Sequence, residues 1–280
     1  METRLKTVLE TFARGNGNLT VLTGAGVSAE SGIPTFRGPE GYWTVGSAHY
    51  HPQQMATRRM FDLMPAEVWR WYLYRIGVCA KAGPNPGHHA LVQIERLLQN
   101  RFTLITQNVD GLHLRAGSSL ERTFMIHGNL FFMRCAGECS PEIYPIPQWL
   151  SRHASDLPLS DAEHSALRCP ACGGWTRPHV LWFDETYDEI HFKFESSLAA
   201  ADRTGLLIIA GTSGATNLPT LVAQRVYANG GTVIDINIAE NPFTELARSS
   251  PGGAFLKNTS ATVLPQMATI FSAILSGDRS

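Results

Sequence analysis

Apolar residues recur along this chain in two rhythms. Residues 19–23 (LTVLT), 102–106 (FTLIT), 205–210 and 232–238 are short runs dense in Leu, Ile, Val and Thr. Runs of this length suit strands buried on both faces of a parallel sheet. Residues 123–127 and 179–183 (HVLWF) add two shorter candidates. The second rhythm has a period of three to four. Val68, Trp69, Tyr72, Ile76 and Cys79 mark one face of a helix over 65–81, which the Gly83-Pro-Asn-Pro-Gly87 stretch ends. Similar spacing predicts helices at 88–99, 189–201, 218–229 and from Pro265 onward, with an amphipathic helix at the N-terminus.

Strands that alternate with helices imply an α/β chain, a parallel sheet covered on both faces. Two segments break the alternation. Residues 34–51 carry Pro, Gly, Tyr and His without a period and read as a long loop, so 36–84 leaves the rhythm; residues 129–178 leave it again. These two interruptions are expected to pack together as a smaller module, with a ligand cleft between it and the sheet.

Composition narrows the function. Hydrophobic residues make up 44% of 280, enough for a sizeable core. Lys and Arg number 23 against 24 Asp and Glu, a net charge of −1, which argues against direct nucleic-acid binding or membrane-surface attachment. No apolar run approaches the roughly 20 residues of a membrane helix. The first residues mix both charge signs and lack the apolar stretch of a signal peptide, so a cytoplasmic location is expected.

Four of the five cysteines stand in two pairs, Cys135-x3-Cys139 and Cys169-x2-Cys172. Four thiolates at such spacing suit a tetrahedral zinc, and a full coordination sphere makes it structural. Cys79 lies on the apolar helix face and reads as core.

Candidate ligand contacts collect where strands end. Gly24-Ala25-Gly26-Val27-Ser28 follows the first strand, and such glycines let a backbone approach a pyrophosphate; a tight turn without ligand is the alternative. Gly211-Thr212-Ser213 and Asp235-Ile-Asn237 end two later strands. Gln107, Asn108 and Asp110 crowd the end of strand 102–106, with side chains suited to ribose hydroxyls and a carboxamide. His127 follows another strand beside them, and an imidazole titrating near pH ~6.5 suits a general base.

Taken in order, these motifs resemble the sirtuins, NAD-dependent protein-lysine deacylases. The stretch from Gly24 to Gly38 (GAGVSAESGIPTFRG), Thr106-Gln-Asn-Val-Asp-Gly-Leu-His113, His127-Gly128, the cysteine pairs and Gly211-Thr-Ser213 carry the resemblance over nearly the whole chain. It implies one catalytic domain: a Rossmann-like NAD-binding part (1–35, 85–128 and 179–280) and a smaller helical and zinc-binding module (36–84 and 129–178). It implies acyl-lysine protein substrates, with NAD consumed as co-substrate: nicotinamide leaves, the acyl group passes to a ribose hydroxyl with His127 as base, and O-acyl-ADP-ribose is released. Asn108 would position the ribose and Asp110 the nicotinamide amide, Phe36 would shield the reactive sugar, and Arg37 would lie near the phosphates. Ser260 and Ala261 would line the adenine pocket.

Tyr72-x-x-Arg75 resembles the pair that marks sirtuins preferring succinyl and malonyl groups. Arg holds a carboxylate bidentately and Tyr adds a donor. Ala56 would leave room at the pocket floor; the alternative is an aromatic packing residue and a solvated Arg. Trp182-Phe183-Asp184-Glu185 resembles the strand that pairs with the substrate peptide, with Asp184 in place of the usual Gly. Residues 214–219 and Asn237-Ile-Ala-Glu240 also depart from the pattern, at the adenosine end. Two competing readings are protein ADP-ribosylation or NAD hydrolysis on the same site, and a non-catalytic NAD-sensing module.

Overall fold

The computed structural model describes residues 2–35, 43–45, 48–154 and 157–277. In chain order the strands are β1 Asn18–Thr23, β2 Trp43–Val45, β3 Ala48–Tyr50, β4 Phe102–Thr106, β5 Thr123–Met125, β6 Gly128–Cys135, β7 Ile143–Pro145, β8 Thr176–Val180, β9 Thr204–Ala210, β10 Thr232–Asn237 and β11 Ala254–Lys257. Six of them form an all-parallel sheet in the order β11-β10-β9-β1-β4-β5. The chain starts in the middle, at β1, builds outward through β4 and β5, then returns to the other side of β1 with β9. The order therefore reverses between β1 and β9, the doubly wound Rossmann pattern.

The strands are apolar throughout because both faces are covered. Leu19, Val21, Leu206 and Ile208 face one core with Leu9, Leu91, Ile94, Leu264 and Phe271, from the helices Glu2–Arg14, Pro86–Leu98 and Ser260–Gly277. Their neighbours Leu22, Leu207 and Ile209 face the opposite core with Leu218, Val222 and Phe243. That two-residue alternation within a continuous apolar run is what parallel strands between two helical layers require.

A third core lies apart from these two. Trp69, Trp71, Tyr72, Leu73 and Ile76 on the Pro65–Lys81 helix pack with Leu130, Met133, Leu150, Val180 and Trp182. Truncating a buried Trp of this kind to Ala typically costs about 3–5 kcal/mol. β6 is the central strand of the antiparallel sheet β7-β6-β8 here.

Four expectations are corrected. The segment 179–183 does not resume the parallel sheet: the strand is β8, pairing antiparallel with β6, so the boundary drawn after residue 178 cuts through it. Arg177 is fully buried in β8 because Glu185 neutralises it and its guanidinium lies 3.5 Å from the Trp182 ring centroid, which hides a core strand behind a polar sequence. The stretch 34–51 contains the hairpin β2–β3. The helix at 189–201 is two, Glu189–Phe192 and Phe194–Asp202, broken where Lys193 adopts a φ of 55°. The last helix begins at Ser260 and Pro265 lies inside it, past the first turn, where its missing N–H leaves the Ala261 carbonyl without a ladder partner.

Candidate active site

The carboxyl ends of β1, β4, β5, β9 and β10 share one edge of the sheet, and the predicted site residues follow them. At the point where strand order reverses, the turns after β1 and β9 interlock. Gly24 N–H donates to the Ala210 carbonyl at 3.0 Å and Gly26 N–H to the Gly211 carbonyl at 2.8 Å. A Cβ on Gly24 would lie 2.6 Å from the Thr212 Cβ, and one on Gly211, whose φ is +61°, would lie 2.5 Å from the Val27 nitrogen. These glycines thus let two turns meet backbone to backbone, beyond any role toward a phosphate.

The polar groups behind the turns form one network. Ser28 is buried, and its Oγ accepts from Asn108 Nδ2 at 3.1 Å. Asp110 is buried too, accepts from Leu112 N–H at 2.8 Å, and is raised in pKa by burial, against the lowering effect of that bond and of Ser28. Gln107 spans three strand ends: Nε2 donates to the Thr23 carbonyl and to Thr212 Oγ1 (2.9 Å), while Oε1 accepts from Thr216. Asn237 Nδ2 donates to the Thr212 carbonyl at 2.8 Å, and Ser213 is exposed at the rim. Ser260 is buried, and Ala261 N–H, at the start of the last helix, donates to Glu30. Phe36 and Arg37 lie outside the described residues.

His127 is half-buried just after β5. Its Nδ1 lies 3.1 Å from the Gln107 carbonyl and its Nε2 2.8 Å from the Tyr187 hydroxyl. Burial lowers its pKa to about 4, with the Gln107 carbonyl acting the other way. The imidazole is therefore neutral at pH 7, the state a base needs. His88 and His113 are buried behind the site with ring centroids 4.8 Å apart.

Tyr72 and Arg75 share the inward face of the Pro65–Lys81 helix, and both are buried. The Tyr72 hydroxyl accepts from Trp182 Nε1 at 2.9 Å, so Trp182 is an internal brace of this wall. The Arg75 guanidinium lies 4.6 Å from the Trp71 ring centroid and 5.8 Å from that of Tyr72. Burial raises the Cys79 thiol to about 12, with Arg75 pulling down and Asp110 pushing up, so this wall adjoins the Gln107–Asp110 segment. Ala56 is buried, and its carbonyl accepts from Phe183 N–H at 2.9 Å; the Phe183 side chain is 58% exposed. Asp184 is occupied within the protein. Its carboxylate accepts from the Arg58 and Arg59 N–H groups at 2.7 and 3.1 Å, capping the Arg58–Leu63 helix.

The four paired cysteines converge, their sulfurs all within 4.8 Å of one another. Cys135 and Cys172 are 3.7 Å apart, Cys139 and Cys169 3.5 Å. Zinc–sulfur bonds of about 2.3 Å place tetrahedral ligands about 3.8 Å apart, so the set fits a structural zinc. Gly173 N–H donates to the Cys169 carbonyl, closing the tight knuckle between the second pair.

Sequence reasoning missed Tyr187, which reaches the site from a segment that carries no motif; Thr216 lies in the 214–219 stretch that departs from the pattern and was given no role.

A doubly wound sheet of this order takes its ligand in the crevice where the order reverses, so fold and site define a nucleotide-binding α/β protein. A model of the Sir2 family matches residues 24–217, more than half of the chain. An NAD-dependent protein deacylase of Leptospira interrogans is 39% identical over 249 residues, 89% of this chain and 91% of the relative. An NAD-dependent protein deacylase of Aquifex aeolicus is 40% identical over 238 residues, 83% and 88% of the two. Among solved structures, a mutant Sir2 homologue in complex with ADP-ribose superimposes with a TM-score of 0.79 at 33% identity, covering 96% of this chain and 97% of that one. A Sir2 homologue–NAD complex gives 0.76 at 33% identity, with 96% and 94% covered. The chain belongs to the Sir2 family, the sirtuins. The crevice fits NAD, with close-packed glycine turns at its floor and polar side chains at its rim. Among the described residues no helix is long and apolar enough to cross a membrane.

Proposed function

We propose that this chain, as a Sir2-family NAD-dependent protein deacylase, removes acyl groups from protein lysines and prefers those ending in a carboxylate, such as succinyl and malonyl. The observation that carries the deacylase reading is the neutral imidazole of His127 beside the Gln107–Asp110 segment at the switch point. NAD, when bound, supplies a ribose carbon with nicotinamide as leaving group, and a ribose hydroxyl to receive the acyl group. In this reading His127 Nε2 takes the proton of that hydroxyl. Asn108, held by Ser28, orients the ribose and water. Asp110, raised in pKa by burial, faces the carboxamide. Gly24, Ala25, Gly26, Gly211, Thr212, Ser213 and Asn237 surround the phosphates and ribose, with Ser260 and Ala261 at the adenine end. We read 1–35, 85–128 and most of 179–280 as the NAD-binding part, and the cysteine-bearing remainder as the module that closes the cleft around an acyl-lysine protein segment. Phe183 lies on the substrate's path.

The acyl preference rests on Tyr72 and Arg75 being buried on one helix face beside the catalytic segment. A guanidinium in such a place complements a carboxylate far better than a methyl group. The test is a matched pair of acetyl- and succinyl-lysine peptides, with and without NAD, read by mass spectrometry. Loss of succinyl with O-succinyl-ADP-ribose is expected. Loss of acetyl alone would discard the acidic-acyl pocket, and nicotinamide release without acyl loss would discard the deacylase.

A further inference from the structure

The partners of His127 assign its tautomer. The Gln107 carbonyl only accepts hydrogen bonds, so Nδ1, 3.1 Å away, carries the proton in the neutral ring. Nε2 then has a bare lone pair, and the group 2.8 Å from it is the Tyr187 hydroxyl, which donates. Tyr187 is held there from both sides: its ring stacks on His127 at 5.8 Å and on Phe194 at 6.4 Å. Burial raises the phenol to about 12, with the neighbouring Thr216 hydroxyl opposing, so it stays a donor at neutral pH.

We infer that Tyr187 is a positioning residue that fixes the working tautomer of His127 and caps its basic nitrogen until a substrate hydroxyl displaces it. The inference rests on reading His127 as the general base. Nε2 is the atom that must accept the substrate proton, and one lone pair cannot serve two donors. The capping hydroxyl must therefore turn away before the base can act. Thr216, the other polar partner of Tyr187, also bonds Gln107, which bonds Thr212 in the turn after β9. The turn after β9 is thus linked through the Gln107 amide to the Thr216 hydroxyl beside the cap. No carboxylate or guanidinium among the described residues shifts either ring: burial and the Gln107 carbonyl act on His127, burial and Thr216 on Tyr187.

The test is nitrogen NMR of the ligand-free, zinc-loaded full chain with labelled histidine, in wild type and Tyr187→Phe. The Phe variant keeps the stacked ring and loses only the hydroxyl. Wild-type His127 is expected in the Nδ1–H form. Removing a donor that stabilises the neutral ring is expected to raise its pKa by roughly half to one pH unit. In kinetics, the acid limb of kcat/KM, which reports the free enzyme, moves up by the same amount, while that of kcat stays put because the cap is already displaced. At pH 8, kcat/KM is expected to rise roughly two- to tenfold. An Nε2–H tautomer in wild type, or an unchanged titration in Tyr187→Phe, overturns the inference. So does a fall in kcat with KM unchanged, which would make the hydroxyl a proton relay. If the titration shifts as expected while His127→Ala keeps full activity, the contact stands and the reading of His127 as base fails.

Discussion

Lowering the pH should destabilise this fold well before its carboxylates titrate. His88, His113 and His179 are 0%, 3% and 5% exposed, and burial holds all three neutral, His88 down at about 4 and the others at about 3. For His179 the neighbouring Arg134, His191 and Arg177 add to the effect. Once unfolded, each imidazole titrates near pH ~6.5. Their folded pKa values are depressed, so the stability they contribute is full above about 6.5 and is lost as the pH falls toward the folded values. At pH 5.5 a freed imidazole is about nine-tenths protonated, and three together take up roughly 2.7 protons on unfolding. Burial raises Asp110 and Asp235 in the folded state, which acts with the opposite sign and offsets at most about two protons. The net uptake of roughly 0.7–2.7 protons corresponds to a loss of about 1–4 kcal/mol per pH unit. His127 is left out because it is only half-buried. The assay is urea unfolding at pH 7.0, 6.5, 6.0 and 5.5, with bound zinc measured in every sample. His113→Gln, which offers an amide to Thr23, should remove about 0.9 proton from the slope. A flat stability between pH 6.5 and 5.5 with zinc retained would show that these imidazoles are not held neutral by the fold.

Three further outcomes follow from the geometry. Gly211→Ala places a Cβ 2.5 Å from the Val27 nitrogen at a φ of +61° and should destabilise by roughly 2–5 kcal/mol, read as a lowered urea midpoint. Cys169→Ser, or removal of zinc by a chelator, should loosen the module around Leu130, Leu150 and Leu167, seen as faster amide exchange there while β1, β4 and β9 keep their protection. Arg75→Gln should lower kcat/KM for succinyl-lysine at least tenfold more than for acetyl-lysine, the loss of a charge-assisted pair worth about 1.5–3 kcal/mol; equal losses would make Arg75 a structural residue.

The sheet was legible because its strands are buried on both faces: Leu19, Val21 and Leu22 announce a parallel strand without help from their neighbours. The Pro65–Lys81 helix was legible from its period and its Pro and Gly punctuation. β8 was not, since Arg177 and Pro178 look like loop residues until Glu185 and Trp182 are seen against the guanidinium. The Pro242–Ser249 helix carries its signal in Asn241, Pro242 and Thr244, a capping box that only hydrogen-bond geometry makes plain. The contact between His127 and Tyr187 spans 60 residues and depends on where the chain turns after β8. Motifs report residues that face a common ligand; they are silent about side chains that touch only other side chains.

Everything proposed for the site depends on His127 being the base that completes acyl transfer to NAD-derived ribose. The direct measurement is O-acyl-ADP-ribose formed from NAD and an acyl-lysine peptide, by mass spectrometry, for wild type and His127→Ala at matched protein concentration. Wild type is expected to release nicotinamide and O-acyl-ADP-ribose in equal amounts, and His127→Ala to lose at least roughly a hundredfold in O-acyl-ADP-ribose. Wild-type rates of O-acyl-ADP-ribose formation by His127→Ala would contradict that role.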